Sequence, residues 1–136
     1  MITEDYVSFE IAKLLKEKGF DIYVRSYYEK NEYRINEEFN TNEALWNWNI
    51  SSFRYSAPTL QMAMKWLRET HKIGIFPSIY SSHSINYSEK DSVKHSFGTA
   101  IISLSNYELM TDDIMPMPTY EEACEAGIRY CLENLI

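Results

Sequence analysis

Lys65, Arg68 and Lys72 recur at helical spacing within "QMAMKWLRETHK", and three cations on one helix face can hold a phosphate or a carboxylate. Arg54 and His71 lie close to them in sequence. Just upstream, "LWNWNI" supplies two indoles. In an extended segment Trp46 and Trp48 point the same way, with Asn47 and Asn49 opposite, and such a pair can stack a base or another flat ligand. Trp46, Trp48, Arg54, Lys65, Arg68 and Lys72 are therefore the residues whose types and spacing suit a ligand- or partner-binding surface.

Each feature has a plainer explanation that weighs more. The cationic row is the solvated side of an amphipathic helix, with Lys65 and Glu69 paired at i,i+4, and charged rows on exposed helix faces are ordinary. Large aromatics in a long connection mostly plug the edge of a core.

Other chemistry is poorly supported. His83 and His95 lack metal-ligand spacing and are joined by no cysteine or acidic cluster. Ser81, Ser82 and Ser84 surround His83 without a nucleophile elbow or an evident aspartate partner. Asp112 and Asp113 lie outside any EF-hand pattern, and a chain with 4 glycines can hardly build a phosphate-cradling loop. The expectation is no catalytic residue, no metal and no cofactor, with a small hydrolase using His83 or His95 as a distant alternative.

The elements that position these residues follow from periodicity. A first helix is predicted from Glu4 to Lys18, capped by Thr3 and stopped at Gly19, with Val7, Ile11, Leu14 and Leu15 buried. "DIYVRSYYEKNEYRINEEF" switches to a period of two and reads as a hairpin around "EKNE"; residues 37–55 read as irregular. The helix carrying the cations starts at Ser56 with Pro58 in its first turn, burying Leu60, Ala63, Met64 and Leu67, widened by Met62 and Trp66. "IGIFPSIY" and "HSFGTAIISLS" are strands, and Pro77 marks an edge or a bulge. "INYSEKDSV" is a possible short strand and "NYELMTDDIMPMP" a loop. The final helix opens on the capping box "TYEE" and buries Tyr120, Ala123, Cys124, Gly127, Ile128, Cys131 and Leu135. The prediction is a single α+β domain over residues 1–136: two layers, an antiparallel sheet of four or five strands and three helices, in the order α-β-β-α-β-β-α.

At 136 residues, 45% apolar and 15% aromatic, the chain can bury one sizeable core. Its net charge is −7, unevenly spread. Residues 1–43 hold 6 cations and 10 acids, net −4; residues 44–107 hold 6 and 3, net +3; residues 108–136 hold 1 and 7, net −6. Long nucleic acid is repelled by such a chain, whereas the basic centre suits a small anion or an acidic partner. The start "MITEDYVSFEIAKLL" lacks a basic leader followed by an apolar run, and no stretch approaches a bilayer span of roughly 20 apolar residues. No membrane partner is expected. Cys124 and Cys131 lie about 10 Å apart along one helix at ~1.5 Å per residue, too far for a disulfide between them. They read as reduced thiols of a cytoplasmic protein.

"LLKEKGFD", "SAPTLQMAMKWLRETHKI" and "TYEEACEAGIRYCLENLI" together resemble a family of small uncharacterised proteins carried by bacteriophages and prophage-like mobile elements of gut bacteria. The resemblance rests on the P-x-x-Q-x-x-x-x-W-L-R-E-x-H helix and the YEEA-type final helix; segments 29–55 and 77–118 lie outside it. It implies an accessory protein acting inside an infected or lysogenic cell and carries no functional residue with it. The leading expectation is a non-enzymatic accessory binding protein acting on a host protein or by self-association as a homodimer. A receptor or sponge for a small anionic ligand such as a nucleotide signal is the alternative.

Overall fold

The computed structural model describes residues 2–37, 45–82 and 94–136. Among them are three helices and six strands, an α+β arrangement with two three-stranded antiparallel sheets rather than the one sheet of four or five strands expected.

Helix α1 covers Phe9–Glu17 and is capped by Ser8, whose Oγ accepts from the Ile11 amide at 3.4 Å. Thr3 does not cap it. Residues ahead of Ser8 are held extended against the approach to the second helix. Tyr6 bridges Thr59, the Val7 amide donates to Pro58 O at 3.0 Å, and the Leu60 amide donates to Asp5 O at 2.9 Å. Those tertiary bonds replace the turn of helix that Glu4 and Asp5 would otherwise start. Gly19, at φ +86°, closes the far end as expected, and the Phe20 amide returns to Leu15 O.

Strands β1 (Ser26–Glu29), β2 (Ile35–Glu37) and β3 (Arg54–Ser56) form the first sheet in the order β2-β1-β3. The hairpin around "EKNE" is present, and β3 emerges from the segment read as irregular. Tyr28 and Tyr55 pair across β1 and β3 and turn inward to meet the Phe9 ring edge-on at 5.6 and 5.4 Å. The Tyr28 hydroxyl donates to Val7 O at 2.7 Å.

Helix α2 covers Leu60–His71. Thr59 is its cap, accepting from the Met62 amide at 3.2 Å, so Ser56 belongs to β3 and Pro58 precedes the first turn. Lys72, at φ 57°, ends it in the left-handed region.

Strands β4 (Ile73–Ser82), β5 (Lys94–Ser103) and β6 (Leu109–Met117) form the second sheet in that order. β4 and β5 pair without interruption from Ile73↔Ser103 to Ser82↔Lys94, and Pro77 lies on an outer strand as its missing donor requires. The segment expected to be a loop, "NYELMTDDIMPMP", contributes β6. Three register shifts against β5 let only Thr111, Ile114 and Met117 turn partly inward. The proposed short strand in "INYSEKDSV" lies outside the described residues.

Helix α3, Tyr120–Asn134, starts at the expected cap: Thr119 Oγ1 accepts from the Glu122 amide at 3.1 Å and donates to Glu122 Oε2 at 3.0 Å. It lies close to the second sheet at Gly127, where a Cβ would fall 2.6 Å from Ile75 Cγ2 and 3.0 Å from Thr99 Cγ2. Tyr120 remains exposed, unlike the rest of its predicted stripe. One continuous core joins the layers, with Val7, Ile11 and Leu15 in the same buried cluster as Leu67, Ile101, Ile128 and Leu132.

Burial sets the protonation of several groups. Cys124 and Cys131 are buried and form no disulfide; desolvation raises both thiols, Cys131 to about 12. Desolvation also raises Tyr28, and the hydrogen bond to Glu37 raises Tyr6. Each group holds its proton more tightly folded than unfolded. Its contribution is therefore complete below the ordinary pKa and lost as pH climbs through the folded one. The urea midpoint is expected to fall from about pH 9 as the thiols enter their unfolded range, and further above ~10 as the tyrosines do. A midpoint unchanged up to about pH 11 would contradict this assignment.

Candidate functional site

The residues singled out from sequence do not converge. Trp48 opens a single 3-10 turn, Trp48–Ile50, instead of an extended segment, so it does not share a direction with Trp46. The residue is 9% exposed, its Nε1 donates to Val24 O at 2.9 Å, and its ring packs on Tyr27 at 4.4 Å. Trp46 bridges Val24 through its backbone and leaves its ring half-exposed beside Tyr23, 6.1 Å away.

Arg54 is tied down on the same side of the first sheet. Its guanidinium lies 4.4 Å from the Tyr27 ring and 5.3 Å from Trp48, and its Nε meets Glu29 Oε1 at 3.1 Å. Lys16 Nζ donates to Ser51 O and Arg54 O, at 2.6 and 3.0 Å, which fixes this loop to α1. Desolvation pulls the Lys16 ammonium pKa below its ordinary value.

The row on α2 stands apart. Lys65 is exposed and reaches Glu69 at 3.8 Å, as predicted; Lys72 Nζ donates to Glu69 O at 3.1 Å; Arg68 is exposed with no ion pair among the described residues. His71 turns inward, its ring edge-on to Trp66 at 4.8 Å and its Nε2 buried without a hydrogen bond. No hydrogen bond, ion pair or ring contact among the described residues joins Trp46, Trp48 or Arg54 to Lys65, Arg68 or Lys72. A small anion would need those cations to converge with an indole face, and the row lies instead on a convex helix. His83 lies outside the described residues, and of His95 only the strand backbone is described.

Replacing Lys65 and Arg68 together with serine is expected to change stability by under ~1 kcal/mol, because exposed charges on a convex face contribute little. Denaturant titration at high dilution, where self-association does not contribute, checks this, and a larger loss would mean the row supports the fold.

Among the described residues, a concavity on α3 carries the opposite sign. Between β6 and α3 lies a groove of about 410 Å³ lined by Asp113, Ile114, Met117, Glu122, Glu125, Ala126, Arg129, Tyr130 and Glu133. Glu122, Ala126 and Tyr130 recur every fourth residue along the flank of α3, while Glu125, Arg129 and Glu133 form the next row. The groove thus has an apolar floor of Ile114, Met117, Ala126 and Tyr130 under a rim of four carboxylates. Arg129, the one cation lining it among the described residues, is already drawn to Glu133 at 3.6 Å. Glu125 also accepts from the Ser8 amide at 3.3 Å, anchoring α3 to the start of α1. Glu122 and Glu125 line a second concavity of about 420 Å³ as well, with Asp5 and Glu121.

Chemically this surface suits an apolar side chain seated between cations: the floor removes it from water, and the carboxylates accept from lysine or arginine. No group of three or more histidine, cysteine or acidic side chains is placed to hold a metal ion among the described residues. Charge was the one signal available beforehand, since residues 108–136 carry net −6. The groove itself needs β6, whose segment reads as a loop from sequence alone.

Another exposed apolar surface lies on the second sheet. Phe76 alternates with the inward Ile75 and is half-exposed on the face turned from α3. No helix among the described residues is long and apolar enough to cross a membrane. Comparison with protein-family models, curated proteins and solved structures finds no match for the chain.

Proposed function

We propose that the chain is a non-enzymatic binding protein that docks a basic, apolar-anchored segment of a partner protein in the groove between β6 and α3. The observation that supports this most directly is the groove itself, an apolar floor edged by Asp113, Glu122, Glu125 and Glu133. Affinity at such a surface comes from burying the anchor, while the carboxylates select for positive charge and speed encounter. On the resemblance drawn above, its setting is the cytoplasm of an infected or lysogenic cell, where an accessory protein acts by occupying a surface of a host protein or its own.

A panel of short helical peptides with lysines flanking a leucine, and matched peptides with glutamates instead, tests the reading by amide NMR. The lysine peptides are expected to shift Met117, Ala126 and Tyr130, and Asp113→Lys is expected to weaken them. Equal response to both panels, or none to either, would refute it.

A further inference from the structure

We infer that the groove receives the basic face of α2 from a second copy of this chain, in a two-fold dimer where each copy gives one helix and receives one. This rests on the docking reading above and names its occupant.

The chain itself carries the complementary surface. Arg68 has no ion pair among the described residues, and Lys65 has only a 3.8 Å contact with Glu69 between two well-exposed side chains. Met62, three residues before Lys65, is 37% exposed, so α2 presents an apolar anchor beside its cations. That is the chemistry the groove selects. A lone acidic rim or a lone basic row would say little, but a chain carrying both as exposed surfaces, each only partly offset by a loose pair of its own (Lys65–Glu69 and Arg129–Glu133), has a match in its own copy.

The placement of the two surfaces allows closure. α2 packs beside α3 over β4, and the groove lies on the flank of α3 toward β6. The two surfaces are thus carried by neighbouring helices. A two-fold axis that lays one α2 over the partner groove therefore brings the reciprocal pair together as well, and the assembly stops at two copies. The net charge of −7 opposes association at long range, so the contact depends on local pairing of opposite charges.

Sedimentation of the full chain over a range of concentrations provides the test, with Arg68→Glu and Asp113→Lys as variants and thermal melts to confirm that each folds. Wild-type protein is expected to dimerise and to weaken as salt rises from about 0.1 to about 1 M, where the screening length falls from ~10 to ~3 Å. Each variant alone is expected to weaken the dimer at least about tenfold, as juxtaposed like charges do. An equimolar mixture of the two is expected to restore it, because one of the two reciprocal contacts is native and the other is re-paired with reversed signs. Misfolding cannot produce that rescue.

A dimer indifferent to both variants would overturn the inference and point to another face, such as that of Phe76; so would variants that weaken the dimer without rescue on mixing. A wild-type chain that stays monomeric also overturns it. In that case lysine peptides that still shift Ala126 and Tyr130 leave the docking reading standing, and peptides without effect remove both.

Discussion

Trp48→Ala is expected to destabilise the protein by about 3–5 kcal/mol, the usual cost of deleting a buried indole. The ring closes the outer side of the first sheet, resting on Tyr27 and flanked by Arg54. Losing it opens a cavity and frees the guanidinium that Glu29 holds. Little of the cost should come from the indole N–H. Val24 O, its acceptor, is also bonded by the Trp46 amide at 3.1 Å, so no carbonyl is orphaned. Trp48→Phe is therefore expected to lose only about 1 kcal/mol for the missing bond, plus what the smaller ring leaves unfilled. Urea unfolding of both variants separates the contributions. If alanine left stability untouched and abolished binding of a flat ligand instead, the ring would be a stacking platform and not a plug.

Leu67→Ala should cost about 2–5 kcal/mol. Leu67 is fully buried in α2, on the stripe with Leu60, Ala63 and Met64. Its place in the common core means the void has walls from several elements and cannot collapse onto solvent. Lys65 and Arg68, on neighbouring turns, are exposed. Paired denaturation curves should thus show a large shift for Leu67→Ala and almost none for the Lys65/Arg68 double change. Similar shifts for both would mean that the helix is rotated from the orientation described.

What could be read from sequence was set by how local the determinants are. α3 begins where its capping box says, because Thr119 and Glu122 satisfy each other without help from elsewhere. β4 and β5 each carry β-branched and aromatic residues over a run long enough that periodicity suffices, with Pro77 tolerated on an outer strand. α1 was misplaced because both Thr3 and Ser8 are competent caps; the choice is made by Val7 and Leu60 bonding across to Pro58 and Asp5, which no window of the first helix contains. β6 was missed for a related reason. Register shifts against β5 convert its alternation into a spacing of three, with Thr111, Ile114 and Met117 turned partly inward and Asp112, Asp113, Met115 and Pro116 exposed between them. Division into two sheets depends on β3, three residues whose only strand credential is their pairing with β1. The candidate surface divides the same way. The basic row was visible because a helix displays it, while the acidic groove is formed by two elements, one of which was unrecognised.

The margins of the second sheet have a bearing on polymerisation. Its outer strands, β4 and β6, are long and carry exposed apolar side chains such as Ile79 and Met115, a composition that in a flat strand invites cross-β stacking. Both are spoiled as templates. Pro77 in β4 and Pro116 in β6 offer no amide, the register shifts distort β6, and Asp112 and Asp113 put two charges in its middle. An incoming strand would meet gaps and charge instead of a regular ladder. Concentrated solutions should accordingly form closed, reversible assemblies in preference to fibrils, and it is proline removal at position 77 or 116, more than added hydrophobicity, that would open the route to amyloid.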